Sequence, residues 1–131
     1  MAGDLVKKMQ IKKGQKLIII NGPEGYAEDL GPMPEDVVVG NKLEGVFDFV
    51  QIFVKDFAEL ATYLPHALKV LKEDGLFWIC YPKKTSKIKS DLNRDVLRVE
   101  MEKHFLSSVT LVSINDTWSA MRFRPTDKVG K

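Results

Sequence analysis

Lys83, Lys84, Lys87 and Lys89 crowd one short stretch of the chain, and Arg94 follows close behind. Cationic side chains at that density can hold a phosphate or carboxylate, or follow a nucleic-acid backbone. Against nucleic acid stand two features: the lysines have no aromatic residues between them, and 20 Lys+Arg against 18 Asp+Glu leave a formal net charge of only +2. A second constellation is Asn21-Gly22-Pro23-Glu24-Gly25, where two glycines after an apolar run let a backbone approach a ligand closely or simply turn the chain. Asp91, Arg94 and Asp95 have the spacing of a capping and ion-pairing set at a helix start, which is the expected role for them ahead of acid/base work. Cys80 sits inside an apolar run and has no histidine near it, so it is expected to be a small buried hydrophobe and not a nucleophile. His66 and His104 stand apart without further ligands at metal-binding spacing, and both are expected at the surface.

Positioning these residues requires a core, and 131 residues with 44% hydrophobic and 29% charged content suffice for one domain, 1–131. One cysteine excludes an internal disulfide framework and suits a reducing compartment. The longest apolar runs, such as Leu17 to Ile20 and Leu76 to Cys80, fall far short of the roughly 20 residues that a spanning helix needs. Met1 to Lys13 offers no basic stretch followed by an apolar one and a cleavage site, so no secretion signal is expected. The expectation is a cytoplasmic protein with no membrane partner.

Three unbroken apolar runs, Lys16 to Asn21, Phe47 to Val54 and Leu76 to Tyr81, lack the alternation of a half-exposed strand and predict interior strands covered on both faces. Val37 to Val39 predicts a short edge strand. Leu5, Val6, Met9 and Ile11 suit a short amphipathic helix, and Tyr26 to Leu30 a single turn closed by Gly31-Pro32-Met33-Pro34. Asp56 with Glu59 predicts a capped helix carrying Phe57, Leu60, Ala61 and Leu64, kinked or restarted at Pro65, continued by Ala67, Leu68 and Leu71, and stopped by Glu73-Asp74-Gly75. Past Pro82, the Lys83 to Ser90 loop leads to a helix capped by Ser90 or Asp91, with Leu92, Val96 and Val99 on one face and Leu97, Met101 and Phe105 on another. That second apolar face, together with Trp118, suggests a homodimer contact. Trp78 is expected in the core. Val109 to Ile114 and Trp118 to Phe123, joined by Asn115-Asp116-Thr117, can pair only antiparallel, and Arg124 to Lys131 reads as a frayed tail.

Strand, crossover helix and strand, repeated and closed by a hairpin, give a three-layer Rossmann-like α/β domain: a mostly parallel sheet with helices on both faces and a C-terminal antiparallel hairpin. Ligands in such sheets bind beyond the carboxyl ends of the strands, which brings together the loops Asn21 to Gly25, Lys55-Asp56 and Pro82 to Ser86.

Several stretches carry a family likeness: Ile11 to Lys16, Asn21 to Tyr26, Trp78-Ile79-Cys80-Tyr81-Pro82-Lys83-Lys84, Asp91 to Val96 and Trp118 to Phe123. Together they resemble a family of small bacterial proteins of unknown function with a shortened S-adenosylmethionine-dependent methyltransferase fold. The resemblance implies that fold over nearly the whole chain. In an active methyltransferase, Asn21, Gly22 and Gly25 would face the cofactor, with Tyr81 and Pro82 flanking the transferred group. Such enzymes follow their first strand with an acid and alternating glycines and end their second in an acid. Here Pro23 removes an amide, Glu24 adds a carboxylate, and Gly40-Asn41-Lys42 follows the second strand with only Glu44 near. The leading expectation is therefore a non-catalytic protein, without catalytic residues, metal or resident cofactor. It would bind a small anionic ligand through Asn21, Gly22, Glu24, Gly25, Tyr81, Lys83 and Lys84. The alternatives are a methyltransferase using S-adenosylmethionine, and a nucleic-acid-associated accessory protein using the basic loop.

Overall fold

The computed structural model describes residues 2–129. The chain runs α1 (Ala2–Lys8), β1 (Lys16–Ile20), α2 (Tyr26–Leu30), β2 (Val38–Gly40), β3 (Phe47–Phe53), α3 (Phe57–Val70), β4 (Leu71–Pro82), α4 (Arg94–Glu102), β5 (Leu106–Ser113) and β6 (Trp118–Pro125), then a 3-10 turn over Thr126–Lys128. One six-stranded sheet has the order β2-β1-β3-β4-β6-β5. The strands β2, β1, β3 and β4 are parallel, and β6 inserts antiparallel between β4 and β5. Strand order reverses between β1 and β3, because β2 lies on one side of β1 and all later strands on the other.

The apolar runs sort their side chains by simple alternation. Phe77, Ile79 and Tyr81 of β4 join Val50 and Ile52 of β3 in a core covered by Leu60 and Leu64 of α3 and Leu97 and Met101 of α4. Leu76, Trp78 and Cys80 face the other way, onto Val6 and Met9, Tyr26 and Leu30 of the α1 and α2 segments. Helices therefore cover both faces, as the lack of alternation requires. Trp78 is fully buried, and its indole N–H donates to the Met9 carbonyl at 3.2 Å, tying the N-terminal segment to the sheet.

Five details depart from the sequence reading. Pro65 lies within α3 without ending it. It sits on the exposed face, as does Ala61, whose carbonyl loses its helical partner because proline has no N–H. Glu73-Asp74-Gly75 does not stop the chain: β4 starts at Leu71, directly after α3, and Asp74 takes a left-handed φ of 54° where the ladder slips register. Arg124 donates to both Asp74 carboxylate oxygens, at 3.0 and 2.8 Å, so the supposed tail is a strand through Pro125; residues 130 and 131 lie outside the described residues. The α4 cap is Asn93, accepting from the Val96 N–H at 2.9 Å, while Asp91 accepts instead from the Phe57 N–H at 2.7 Å, at the first turn of α3. Finally, Leu97 and Met101 are buried and Val99 and Phe105 are exposed, so the face proposed for a partner is mostly core.

From β2 to β3 the chain returns through residues 41–46 without a helix, which a three-residue strand of only about 10 Å permits. Gly40 is needed there because a Cβ would come within 2.5 Å of the Phe47 ring.

Asp48, at the start of β3, accepts from the Lys16 N–H at 2.8 Å and lies 3.3 Å from the Lys72 ammonium. The Lys16 amide above all, opposed by partial burial and helped by Lys72, holds this carboxyl below its ordinary range. A depressed folded value stabilises fully above the unfolded one, about pH 4, and the stabilisation is lost as pH falls through the folded value. Asp48→Asn is therefore expected to be less stable than the parent at pH 7, with the gap closing below about pH 4 in urea unfolding curves. A gap of constant size from pH 7 to pH 3 would contradict this account.

Candidate functional site

Because β1, β3 and β4 are parallel neighbours, the loops that follow them share one rim, as the sequence reading requires. The rim divides, however, into two places. The first and third loops are separated by the width of β3, about 10 Å between the strands they follow.

At the switch point between β1 and β3, Asn21 reaches across the crevice. Its amide donates to the Phe53 carbonyl at 2.8 Å and to Glu59 Oε1 at 3.3 Å, and the same Glu59 oxygen accepts from the Lys55 N–H at 2.8 Å. Asn21 adopts a left-handed φ of 60°, and a Cβ on Gly22 would meet Ile19 at 2.9 Å. Beneath this bridge Tyr26, Phe53 and Trp118 stack edge to face, with ring centroids 4.7 and 5.1 Å apart. Trp118 thus packs on the core, half-buried. Glu24 and Gly25 are exposed beside this bridge.

Beyond the carboxyl end of β4 the surface opens into a cleft of about 320 Å³, walled by Tyr81, Pro82, Lys83 and Lys84, by Leu92, Asn93, Arg94 and Asp95 at the start of α4, and by Leu111 and Ser119 of the hairpin. Three of the seven residues singled out from sequence, Tyr81, Lys83 and Lys84, line it; Asn21, Gly22, Glu24 and Gly25 do not. Leu92, Asn93, Asp95, Leu111 and Ser119 were not foreseen as a site. Asn93 was detectable as a cap, but Ser119 reaches Tyr81 only because β6 lies against β4 with those two residues opposite each other.

Donors dominate the lining. Lys83 continues the ladder, its N–H donating to the Thr117 carbonyl at 2.8 Å, and its ammonium donates to Ser113 Oγ at 2.6 Å. The Asn93 carboxamide oxygen is used in capping, which turns its NH2 group away from the helix end. Among the described residues, the Lys84 ammonium, the Asn93 NH2 and the hydroxyls of Tyr81 and Ser119 make no hydrogen bond to protein. Arg94 has only a 4.0 Å contact with Asp95. Burial, opposed by Arg94 and assisted by Asp95, pushes the Tyr81 hydroxyl above its ordinary range, so it remains a donor at neutral pH. Asp95 is the single carboxylate on the lining, shared at 4.0 Å with Arg98. Such a surface suits an oxyanion, which accepts several hydrogen bonds and donates few.

Cys80 takes no part. It is fully buried, accepts from the Gln51 Nε2–H at 3.1 Å, and burial pushes its thiol up to about 12. The native protein is expected to leave an aromatic disulfide reagent unreacted at pH 8 and to consume one equivalent once unfolded in guanidinium; rapid reaction of the folded chain would contradict this burial. His66 and His104 are both exposed, and no group of three or more metal-ligating side chains occurs among the described residues. No helix among them is long and apolar enough to cross a membrane.

These features define a three-layer Rossmann-like α/β protein with a cationic cleft at the carboxyl rim of its sheet. Its fold is the methyltransferase-like one, and it is shared with solved structures across nearly the whole chain. A SAM-dependent methyltransferase from Aquifex aeolicus aligns over 93% of this chain and 88% of its own, with a TM-score of 0.60 at 12% identity. The N-methyltransferase NodS from Bradyrhizobium japonicum, in complex with S-adenosyl-L-homocysteine, aligns over 92% and 83%, with a TM-score of 0.56 at 12% identity. Against the mitomycin 7-O-methyltransferase MmcR the TM-score is 0.62 at 10% identity, and this chain spans about half of that larger enzyme, 52%. No protein-family model and no curated protein sequence matches the chain, and the likeness is one of fold.

Proposed function

We propose that this protein is a non-catalytic binder of a small oxyanion, phosphate or carboxylate, held in the cleft between β4 and α4. The observation that carries this reading is the imbalance of the lining: Lys83, Lys84, Arg94, Asn93, Tyr81 and Ser119 offer donors, against one carboxylate, Asp95. The first turn of α4 adds the positive end of a helix dipole on the same side. Leu92, Pro82 and Leu111 supply apolar wall for the carbon portion of a ligand.

Methyl transfer is the second reading, favoured by the fold likeness to NodS and the Aquifex enzyme. What ranks it second is the rim at β1 and β2. The Asn21 amide spans the crevice at the switch point, Pro23 offers no N–H, and β2 leads into Asn41 and Lys42 with no adjacent carboxylate. These residues do not fit S-adenosylmethionine as a bound cofactor.

Thermal unfolding with added ligand separates the two. A ligand that prefers the folded state stabilises by about 2.7 kcal/mol at a hundredfold excess over its Kd. Inorganic phosphate at tens of millimolar is expected to raise Tm, with the rise suppressed as salt screens the lysines, while millimolar S-adenosylmethionine leaves Tm unchanged. A rise with S-adenosylmethionine and none with phosphate would reverse the order of the two readings.

A further inference from the structure

We infer that the cleft is one half of a two-part site whose ligand carries two phosphoryl groups on separate atoms of a short carbon chain; the inference rests on the anion-binding reading above. A second hollow, of about 270 Å³, lies against the same chain segment. The two share Pro82, Lys83, Lys84 and Leu92 as a common wall, but differ in everything else that lines them. The first also touches α4 and the hairpin, whereas the second is built from residues of the 82–92 stretch alone.

The second hollow is cationic without compensation. Lys89 joins Lys83 and Lys84 there, no carboxylate lines it, and neither Lys84 nor Lys89 forms an ion pair among the described residues. Its shape is held by local bonds: Ser86 Oγ donates to the Lys83 carbonyl at 2.7 Å, and Ser90 Oγ accepts from the Leu92 N–H at 3.0 Å. Across both hollows four cations, Lys83, Lys84, Lys89 and Arg94, face the one carboxylate of Asp95. A single oxyanion satisfies one hollow and leaves the other cationic. Two anionic groups joined over the Pro82 and Leu92 wall satisfy both, and because that wall stands between the hollows the two groups belong on separate atoms of the ligand. Lys87, in the same loop, lines neither hollow and serves as a matched control.

The test is calorimetric titration of the full chain at constant ionic strength with inorganic phosphate, pyrophosphate and fructose 1,6-bisphosphate. Fructose 1,6-bisphosphate is expected to bind at least about 30-fold more tightly than phosphate, because the second group binds at high effective concentration, and pyrophosphate to gain much less. Lys89→Ala is expected to remove most of that advantage while phosphate affinity stays within about twofold, and Lys87→Ala to change neither. Equal affinities for phosphate and bisphosphate, or Lys87→Ala and Lys89→Ala acting alike, would overturn the two-part site while leaving the single anion site intact. Absence of binding by all three probes would remove the underlying reading as well.

Discussion

Arg94→Ala is expected to weaken phosphate binding by about 10- to 100-fold while leaving Tm within about 2 °C of the parent. The binding effect follows from losing one charge-assisted hydrogen bond, which contributes about 1.5–3 kcal/mol, at about 1.4 kcal/mol per tenfold in Kd. The lack of a stability effect follows from the side chain's position. Arg94 is 62% exposed, and its only ion pair is a 4.0 Å contact with an exposed Asp95, the kind of pair that contributes little. Arg94→Lys should fall between the two, since an ammonium keeps the charge and loses the forked geometry. Asp95→Asn is expected to move affinity the other way, tightening phosphate binding by about 3- to 10-fold through relief of like-charge repulsion. Calorimetry on the three variants checks the set; Arg94→Ala binding phosphate as well as the parent would take the guanidinium out of the site.

The largest stability effect is expected at Trp78. Truncation to Ala removes the largest fully buried side chain from the face packed on α1 and α2, costing about 3–5 kcal/mol and lowering Tm by roughly 10–20 °C. Trp78→Phe separates the two causes. It keeps most of the apolar contact with Met9 and Tyr26 but deprives the buried Met9 carbonyl of its donor, an expected cost of about 1–3 kcal/mol. Equilibrium urea unfolding reads both numbers. A loss below 1 kcal/mol for Trp78→Ala would mean that the α1 segment does not close this face of the sheet.

What the sequence made legible, and what it hid, divides along local against long-range physics. The three apolar runs read correctly as β1, β3 and β4, because burial on both faces leaves no alternation to misread. The hairpin of β5 and β6 followed from the length of its connection alone. Glu73-Asp74-Gly75 misled because its local turn signal is overridden from a distance: Arg124, 50 residues away, grips Asp74 and holds the left-handed residue inside β4. At α4 the capping residue and the buried face were both displaced, Asp91 being drawn to the Phe57 amide and leaving Asn93 to start the helix. Leu97 and Met101 then turn inward and Val99 outward.

The same division explains the lining of the cleft. Lys83 and Lys84 declared themselves by charge density and by position after an interior strand. Nothing in their neighbourhood announced Ser119 or Leu111, which arrive only because β6 inserts between β4 and β5. The glycine loop looked equal to the lysine loop as a candidate. What separates them is the side chain of Asn21, which reaches over to the Phe53 carbonyl, a contact 32 residues distant in sequence.

Amide chemical shifts recorded while inorganic phosphate is titrated into the labelled protein address the location of the anion most directly. The largest changes are expected at Lys84, Asn93, Arg94 and Asp95, with saturation at a common Kd and little change at Gly22, Glu24 and Gly25. Shifts concentrated at Gly22, Glu24 and Gly25, with the amides around Arg94 unmoved, would place the anion at the β1 rim and contradict the account.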